Sequence, residues 1–451
     1  MNDFFEKFWL KKAAGALRVP VDTPAETVLE KIRPAVAELS DLFTIERPSD
    51  GRFRDYMSEP TLLAAYGLFF FPQSFARADF ALRRLYGIYG RAPHDGNELS
   101  ATRTDEYSER RANGTDANEL TDANETDANG TDETGAMDGN GARPLRVLDL
   151  GSGAAPCGFA AATILRERFP KRAIELTALD RSRNALDAAR EFAEIFAHAA
   201  DGNAEKSVGK FSFSAVPADL KKFVSAKKSL PPQDLVLLGW SLNEAVPAPG
   251  DAVPFLKNLA PLLEKNGAIV VLEPALKITA ERLQRASDFF AGKSGRGAPF
   301  FRLAPELGEH TCPLLRDGVF WNHEVRKWTP PPCAEFLNRK LFRELGTLKF
   351  SWCALGKTPP KIFDVPAGAS EILRLVSPLE ATKTCVRFAG VNPHGEKFDI
   401  EMPTRGFSKN AVKKLAASTE RGDVVALAGT LSPLGAGAGR FRFSGMLENL
   451  S

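Results

Sequence analysis

The sequence predicts an α/β protein in which a doubly wound, mainly parallel sheet follows an N-terminal helical region and precedes a small β-rich domain. Three observations carry this. From residue 146 to about 355, short apolar runs alternate with segments of helix length, the pattern of a parallel sheet covered by helices on both faces. Residues 1–103 are rich in apolar residues at helical spacing. After about 370 the pattern changes to short alternating stretches broken by Pro393, His394 and Gly395, as in a small barrel. With 451 residues, 43% of them hydrophobic and 26% charged, the chain can bury a large core in two or three domains.

Taken in order, Phe4, Phe5, Phe8, Trp9 and Leu10 open a first helix, and Thr23-Pro24 opens a second with a threonine cap and a proline at the first position. Leu62, Leu63, Tyr66, Leu68, Phe69, Phe70 and Phe71 continue through Phe75, Phe80, Leu82 and Leu85 as core, or as a surface that docks on the next domain. Residues 104–143 form an acidic linker. It holds a degenerate repeat (Thr115-Asp116-Ala117-Asn118, Thr121-Asp122-Ala123-Asn124, Thr126-Asp127-Ala128-Asn129) with little to bury, and is expected to be disordered. The α/β domain, 144–360, should hold strands at 146–150, 173–180, 211–216, 234–239 and 267–273, with a late strand at 345–355. Its helices fall at 157–169, 183–199, 251–264 and 277–291. The last domain, 370–451, should contain strands at 384–391 and 397–402 and a helix at 407–419.

The net charge of +2 hides an asymmetry. Residues 104–140 hold eleven acids against Arg110 and Arg111, a net of −9, which leaves +11 on the remainder. Such a body suits a nucleic-acid partner. The five scattered cysteines fit a reducing compartment. No apolar run of membrane length occurs and no signal peptide is read at the N-terminus, so a cytoplasmic location away from membranes is expected. The oligomeric state is left open.

The most informative stretch is Val147-Leu148-Asp149-Leu150-Gly151-Ser152-Gly153-Ala154-Ala155-Pro156, a buried strand running into a glycine turn and a helix. Gly151 and Gly153 let the backbone turn tightly and approach a ligand. Asp149 stands at the strand's carboxyl end, where open α/β sheets bind ligands, and the next strand ends in Asp180, an acid suited to ribose hydroxyls. The run lacks the Gly-x-Gly-x-x-Gly spacing of nicotinamide enzymes, since Pro156 fills the third glycine position. It resembles the Rossmann-like class I methyltransferase superfamily, which uses S-adenosylmethionine (S-adenosyl-L-methionine). The resemblance implies that the backbone around Gly151, Ser152 and Gly153 approaches the methionine part of the cofactor, with Asp149 among the cofactor-binding residues. Asp180, flanked by Arg181, would hold the ribose. Asp219 would reach the adenine or cap a helix, and Ser241 and Asn243, after the fourth strand, would face the reaction zone, unless Asn243 caps the next helix. The Asn/Asp-Pro-Pro-aromatic loop of amino-group methylases is missing, and Cys157 reads as helix packing. No catalytic residue is assigned.

Further segments resemble the methyltransferase-like family of the mitochondrial small ribosomal subunit, which has bacterial members. These are Tyr56-Met57-Ser58-Glu59-Pro60, Ala65-Tyr66-Gly67-Leu68-Phe69-Phe70-Phe71-Pro72-Gln73, Ser241-Leu242-Asn243-Glu244, Val271-Leu272-Glu273-Pro274, Cys312-Pro313-Leu314, Trp321-Asn322-His323 and Arg374-Leu375-Val376-Ser377-Pro378. The resemblance implies association with the small ribosomal subunit and its rRNA, in assembly or translation. That family's iron–sulfur cysteines are degraded here: Glu306 and Asn322 stand at two of the positions and only Cys312 remains, so neither a cluster nor another metal site is expected, although His310 and His323 lie near Cys312. Around it, Arg316, Trp321, His323, Arg326, Lys327, Trp328, Arg339, Lys340 and Arg343 read either as an RNA surface or as a solvated basic face. The sequence therefore points to a methyltransferase acting on the small subunit. A non-catalytic assembly scaffold and a small-molecule methyltransferase are the alternatives.

Overall fold

The computed structural model describes residues 3–44, 55–91, 143–201, 209–226, 230–248, 250–292, 297–343, 346–435 and 439–451. The acidic repeat lies outside them. Because that repeat is polar and acidic, with little to bury, removing residues 112–140 is expected to shift the melting temperature by less than about 2 °C in calorimetry. A larger loss would show the segment to be structural.

Eight strands form the main sheet: β1 (Leu145–Leu150), β2 (Ile174–Asp180), β3 (Phe211–Pro217), β4 (Gln233–Gly239), β5 (Leu263–Pro274), β6 (Phe301–Ala304), β7 (Glu324–Lys327) and β8 (Thr347–Gly356). Their order is β3-β2-β1-β4-β5-β8-β6, with β7 also on β8. The first five run parallel, whereas β8 is antiparallel to β5, β6 and β7. An antiparallel strand inserted between β5 and β6 in an otherwise parallel sheet makes a Rossmann-like mixed sheet. β1 and β4 are buried along nearly their whole length, which is why they read as continuous apolar runs.

The expected helix over 251–264 is replaced by a short helix, Ala252–Lys257, and a turn at Ala260–Leu262, and β5 begins at Leu263. Pro261 cannot donate the hydrogen bond a continuing helix needs. β6, β7 and the helix Pro332–Lys340 had no counterpart in the sequence reading.

Helices Asp3–Ala16, Ala25–Thr44, Pro60–Ala65 and Phe71–Tyr86 pack on the sheet's helical face. Trp9 is fully buried, and a Cβ at Gly67 would lie 2.0 Å from its ring. The long aromatic segment is thus both core and docking surface.

The C-terminal domain comprises β9 (Ile372–Leu375), β10 (Glu380–Ala381), β11 (Cys385–Val391), β12 (Lys397–Pro403), helix Lys409–Ser418, β13 (Val424–Pro433) and β14 (Arg440–Asn449). β9 pairs with both β11 and β13, closing a barrel in the order β9-β11-β12-β14-β13 around Leu373, Val386, Phe388, Ile400, Val425 and Phe443. The sequence reading missed β9, β13 and β14. Gly429 faces Gly445 across the β13–β14 pair, where a Cβ would meet the opposing backbone, so the strand pattern there is interrupted by glycine.

A buried charge network joins the three parts. Arg84 of the helical region and Arg326 of β7 both pair with Asp423 at the foot of the barrel. Glu324 of β7 pairs with Arg326 and, at 2.8 Å, with Arg374 of β9. Burial pushes the Glu324 carboxyl up, but Arg326, Arg374 and Arg84 together hold it below the usual carboxylate range.

Candidate cofactor and acceptor site

A cavity of about 760 Å³ opens over the carboxyl ends of β1, β2 and β4. Its floor is the turn after β1. Gly151 (φ +69°) and Gly153 (φ +54°) take left-handed backbone conformations, as does Ala155 (φ +61°). A Cβ at Gly151 would stand 2.5 Å from that of Ser241, so both freedom and space demand glycine there. Leu179 O accepts from Gly151 N at 2.8 Å and from Ser152 N at 3.0 Å, anchoring the turn to β2.

Asp149 is 1% exposed. Its Oδ2 accepts from Gly158 N at 2.9 Å, while its buried Oδ1 has no hydrogen-bond partner among the described residues. Burial, opposed by that bond and assisted by Asp180, pushes its pKa up to about 7. Asp180 lies across the turn, accepting from Gly153 N (2.8 Å) through Oδ2 and from Ser182 N (2.8 Å) through Oδ1. Burial raises its pKa and the two N–H bonds oppose the rise. Arg181 lines the cavity beside it.

The structure separates the remaining expected residues. Exposed Asp219 lines the cavity, and its Oδ1 caps helix Leu220–Ser225 by accepting from Lys222 N at 3.0 Å. Ser241 also lines it, but its Oγ donates to Leu150 O at 2.7 Å, tying β4's exit to β1. Asn243 does not line it: its backbone N donates to Glu273 Oε1 at 2.9 Å and its side chain donates to Oε2. Cys157 packs against Gly239 and also forms part of the wall, with burial holding its thiol protonated.

The opposite wall, which the sequence did not disclose, comes from the helical region. The turn Tyr56–Ser58 lies over the glycine loop, where a Cβ at Gly153 would sit 2.9 Å from Met57 Cε. Asn184 Nδ2 donates to Ser58 O at 2.8 Å. Next comes a π-helical turn, Tyr66–Phe70, a rare geometry often found at functional sites. One helical turn further, Gln73, Ser74 and Arg77 reach the cavity. Arg77 lies 5.7 Å over the Trp240 ring and donates to Gln73 Oε1 at 3.3 Å, while its buried Nε has no partner. Burial lowers its pKa to about 10. Trp240 itself has φ +62°, a strained conformation for a bulky residue and one that concentrates at ligand sites. The signal that could have found this wall is the row of polar residues Gln73, Ser74 and Arg77 within an otherwise apolar stretch.

At the degraded cysteine motif, Asn322 Nδ2 donates to Glu306 Oε1 at 2.7 Å and to Gln284, so the two substituted positions are bonded to each other. Cys312 is buried nearby, and burial followed by Glu306 raises its thiol. Among the described residues, no three His, Cys, Asp or Glu side chains converge as metal ligands. The basic segment around it does not form one face. Arg326 is in the buried network, His323 is buried with its pKa lowered to about 4 chiefly by burial, and Trp321 Nε1 donates to Ala275 O. Lys340 pairs with Glu30 and Arg343 with Asp41 on the helical region. No described helix is long and apolar enough to cross a membrane.

No family model matches the chain, and no curated protein matches it. Among solved structures it is similar to an S-adenosylmethionine-dependent methyltransferase of Leishmania major (19% identity, 29% of this chain and 43% of that one, TM-score 0.21). It is also similar to a precorrin-6y C5,15-methyltransferase of Geobacter metallireducens (16%, 48% and 81%, TM-score 0.25). A third is an arsenic(III) S-adenosylmethionine methyltransferase of Chlamydomonas reinhardtii (14%, 51% and 69%, TM-score 0.23). The chain spans less than half the length of the Leishmania protein and 32% of mitomycin 7-O-methyltransferase. Likeness at this level carries no argument about chemistry.

Proposed function

We propose that this protein binds S-adenosylmethionine in the cavity over β1, β2 and β4 and directs methyl transfer to an acceptor on the small ribosomal subunit or its RNA. The observation that carries the cofactor assignment is the buried Asp149 Oδ1 without a partner, set in a left-handed glycine turn beside Asp180. A buried carboxylate oxygen calls for a cation or a proton, and the ammonium of the cofactor's methionine part suits it. Asp180 has acceptor capacity left for ribose hydroxyls after its two backbone bonds. Asp219 stands beyond β3 toward the adenine end. When bound, the cofactor supplies a methyl group on a positively charged sulfur.

The chain's own part in transfer is positioning and exclusion of water. Tyr56, Tyr66, Phe69 and Trp240 form an aromatic wall around the acceptor side, and Gln73 and Arg77 offer donors to an electron-rich acceptor there. The RNA assignment is supported by the +11 carried outside residues 104–140 and by Lys221 and Lys349 on the cavity lining. The second reading, a non-catalytic assembly scaffold, is favoured by Asn243, which turns to Glu273 and leaves the loop after β4 without that side chain toward the acceptor.

The test is transfer of labelled methyl groups from S-adenosylmethionine to small subunits isolated from cells lacking this protein. Label in the RNA supports methyl transfer. Cosedimentation without label moves the reading to the scaffold. Asp180→Ala is expected to weaken cofactor binding by about 1–3 kcal/mol, roughly 5- to 150-fold. Unchanged affinity in titration calorimetry would remove Asp180 from the ribose.

A further inference from the structure

The C-terminal barrel has a specific connectivity. Its five closing strands follow in the order first, second, third, fifth, fourth, and back to first. The third and fifth, β12 and β14, pair in parallel, and the helix Lys409–Ser418 joins the third to the fourth. This is the oligonucleotide/oligosaccharide-binding Greek-key barrel, whose second and third strands carry the ligand face. Connectivity alone assigns no ligand; the outer face of β11 and β12 has to supply the chemistry.

That face is cationic and tracks along the strands. Arg387 of β11 stands opposite Glu401 of β12, which stands opposite Arg442 of β14, so the three lie in one cross-strand row. Arg440 occupies the next row, opposite Asp399. Glu401 pairs with both Arg387 (3.1 Å) and Arg440 (3.8 Å), and these two arginine side chains are each 59% exposed. Exposed Glu380 of β10 stands opposite Arg387 on its other side, and Asp399 pairs with Lys397 at 3.4 Å, so the carboxylates of this face are Glu380, Glu401 and Asp399. Arg442 is exposed and makes no ion pair among the described residues. Beyond the strand ends lie exposed Lys383 and Arg405, in adjoining bends that Thr404 ties together, its N donating to Thr384 O at 2.9 Å. Phe407 follows, 40% exposed. The other end of β11 is closed off, since Ala389 and Val391 pack under Cys312 and Leu314.

We infer that this stripe binds the phosphate backbone of single-stranded RNA. Over the whole stripe six cations (Arg387, Arg440, Arg442, Lys397, Lys383 and Arg405) face three carboxylates, an excess that favours a polyanion over a neutral sugar, and an open strand face suits an extended single strand rather than a duplex. The inference shares the RNA partner with the reading above but needs neither the cavity nor the cofactor.

The test uses the full chain and a labelled, unstructured oligouridylate of about 12 nucleotides. Fluorescence anisotropy is followed from about 50 to about 200 mM salt. The triple variant Arg387→Gln, Arg440→Gln, Arg442→Gln is expected to bind about tenfold or more weakly, with a salt slope smaller by about 2. Its melting temperature and its calorimetric response to S-adenosylmethionine should match the parent, which separates a lost surface from a misfolded protein. Equal affinity and slope in parent and variant would overturn the inference, as would tighter binding of a duplex of the same length. If the oligonucleotide binds through the stripe while no cofactor binding or transfer is seen, the methyl-transfer reading fails and this one stands.

Discussion

Asp149→Asn is expected to stabilise the protein above about pH 7 and to weaken its hold on S-adenosylmethionine at the same time. Asp149 is buried, and its pKa lies near 7 against an ordinary value of 3.8. The folded state therefore binds this proton more tightly than the unfolded chain does. The stability linked to the group is complete below about pH 4 and is lost as pH rises through about 7. At about 1.36 kcal/mol per unit, the loss is on the order of 4 kcal/mol at most. Asparagine carries no charge to bury and keeps an oxygen for Gly158 N. The difference in melting temperature between variant and parent should thus grow from about pH 4 to about pH 7 and then level off. A difference that is flat with pH would mean that Asp149 is not held in a desolvated site. The amide cannot pair with an ammonium group as a carboxylate does, so cofactor affinity should fall in the same variant. Gained stability with lost binding is the signature of a ligand site, because the fold tolerates a buried charge there that only a ligand relieves.

The second large effect is expected at the barrel's foot. Gly422 has φ +95°, and a Cβ there would lie 1.7 Å from Glu324 Oε2. Glu324 cannot simply move aside. It is fixed by Arg326 and Arg374, and it accepts from Trp352 Nε1 at 3.2 Å. Gly422→Ala must therefore strain the backbone and disturb a buried ion network, at a cost of roughly 3–5 kcal/mol. Gly406→Ala is the matched control. It has the same φ of +95° with nothing within 4 Å, so it isolates the backbone contribution of about 1–3 kcal/mol. Urea unfolding of the two variants would measure the difference. Equal losses would show that Glu324 accommodates the methyl group freely.

The sheet and half the site were readable in the sequence because their signals are local. Val147, Leu148 and Leu150 sit in a strand covered on both faces, and the acids Asp149 and Asp180 mark strand ends within a few residues of the glycines they serve. The other half was hidden by distance. Gln73 and Arg77 lie on a helix whose pattern says only that it is amphipathic. Which polar residues face a cavity follows from docking against a sheet that begins some seventy residues later. Arg326 was misleading for the same reason. It reads as a free cation among Trp321, Lys327 and Trp328, yet it is buried because Asp423, 97 positions away, supplies its counter-charge. The sequence expectations for Asn243 and Ser241 rested on position after the fourth strand. The rotamers that bind them to Glu273 and Leu150 are set by packing, which spacing does not encode.

The network of Arg84, Glu324, Arg326, Arg374 and Asp423 also bears on how the chain finds one arrangement. Its members come from the helical region, the edge of the sheet and the barrel; Glu324 and Arg326 pair within β7, but Arg84, Arg374 and Asp423 find their counter-charges only across the junctions between these parts. Apolar faces alone would let the barrel slide or rotate against β7 at little cost, since such contacts are non-directional. A displaced barrel instead parts Asp423 from Arg84 and Arg326, and Arg374 from Glu324, a penalty of several kcal/mol per stranded charge. The cluster thus acts as a key that rejects near-miss dockings, and it fixes the orientation in which the arginine-bearing face of the barrel is presented relative to the cavity.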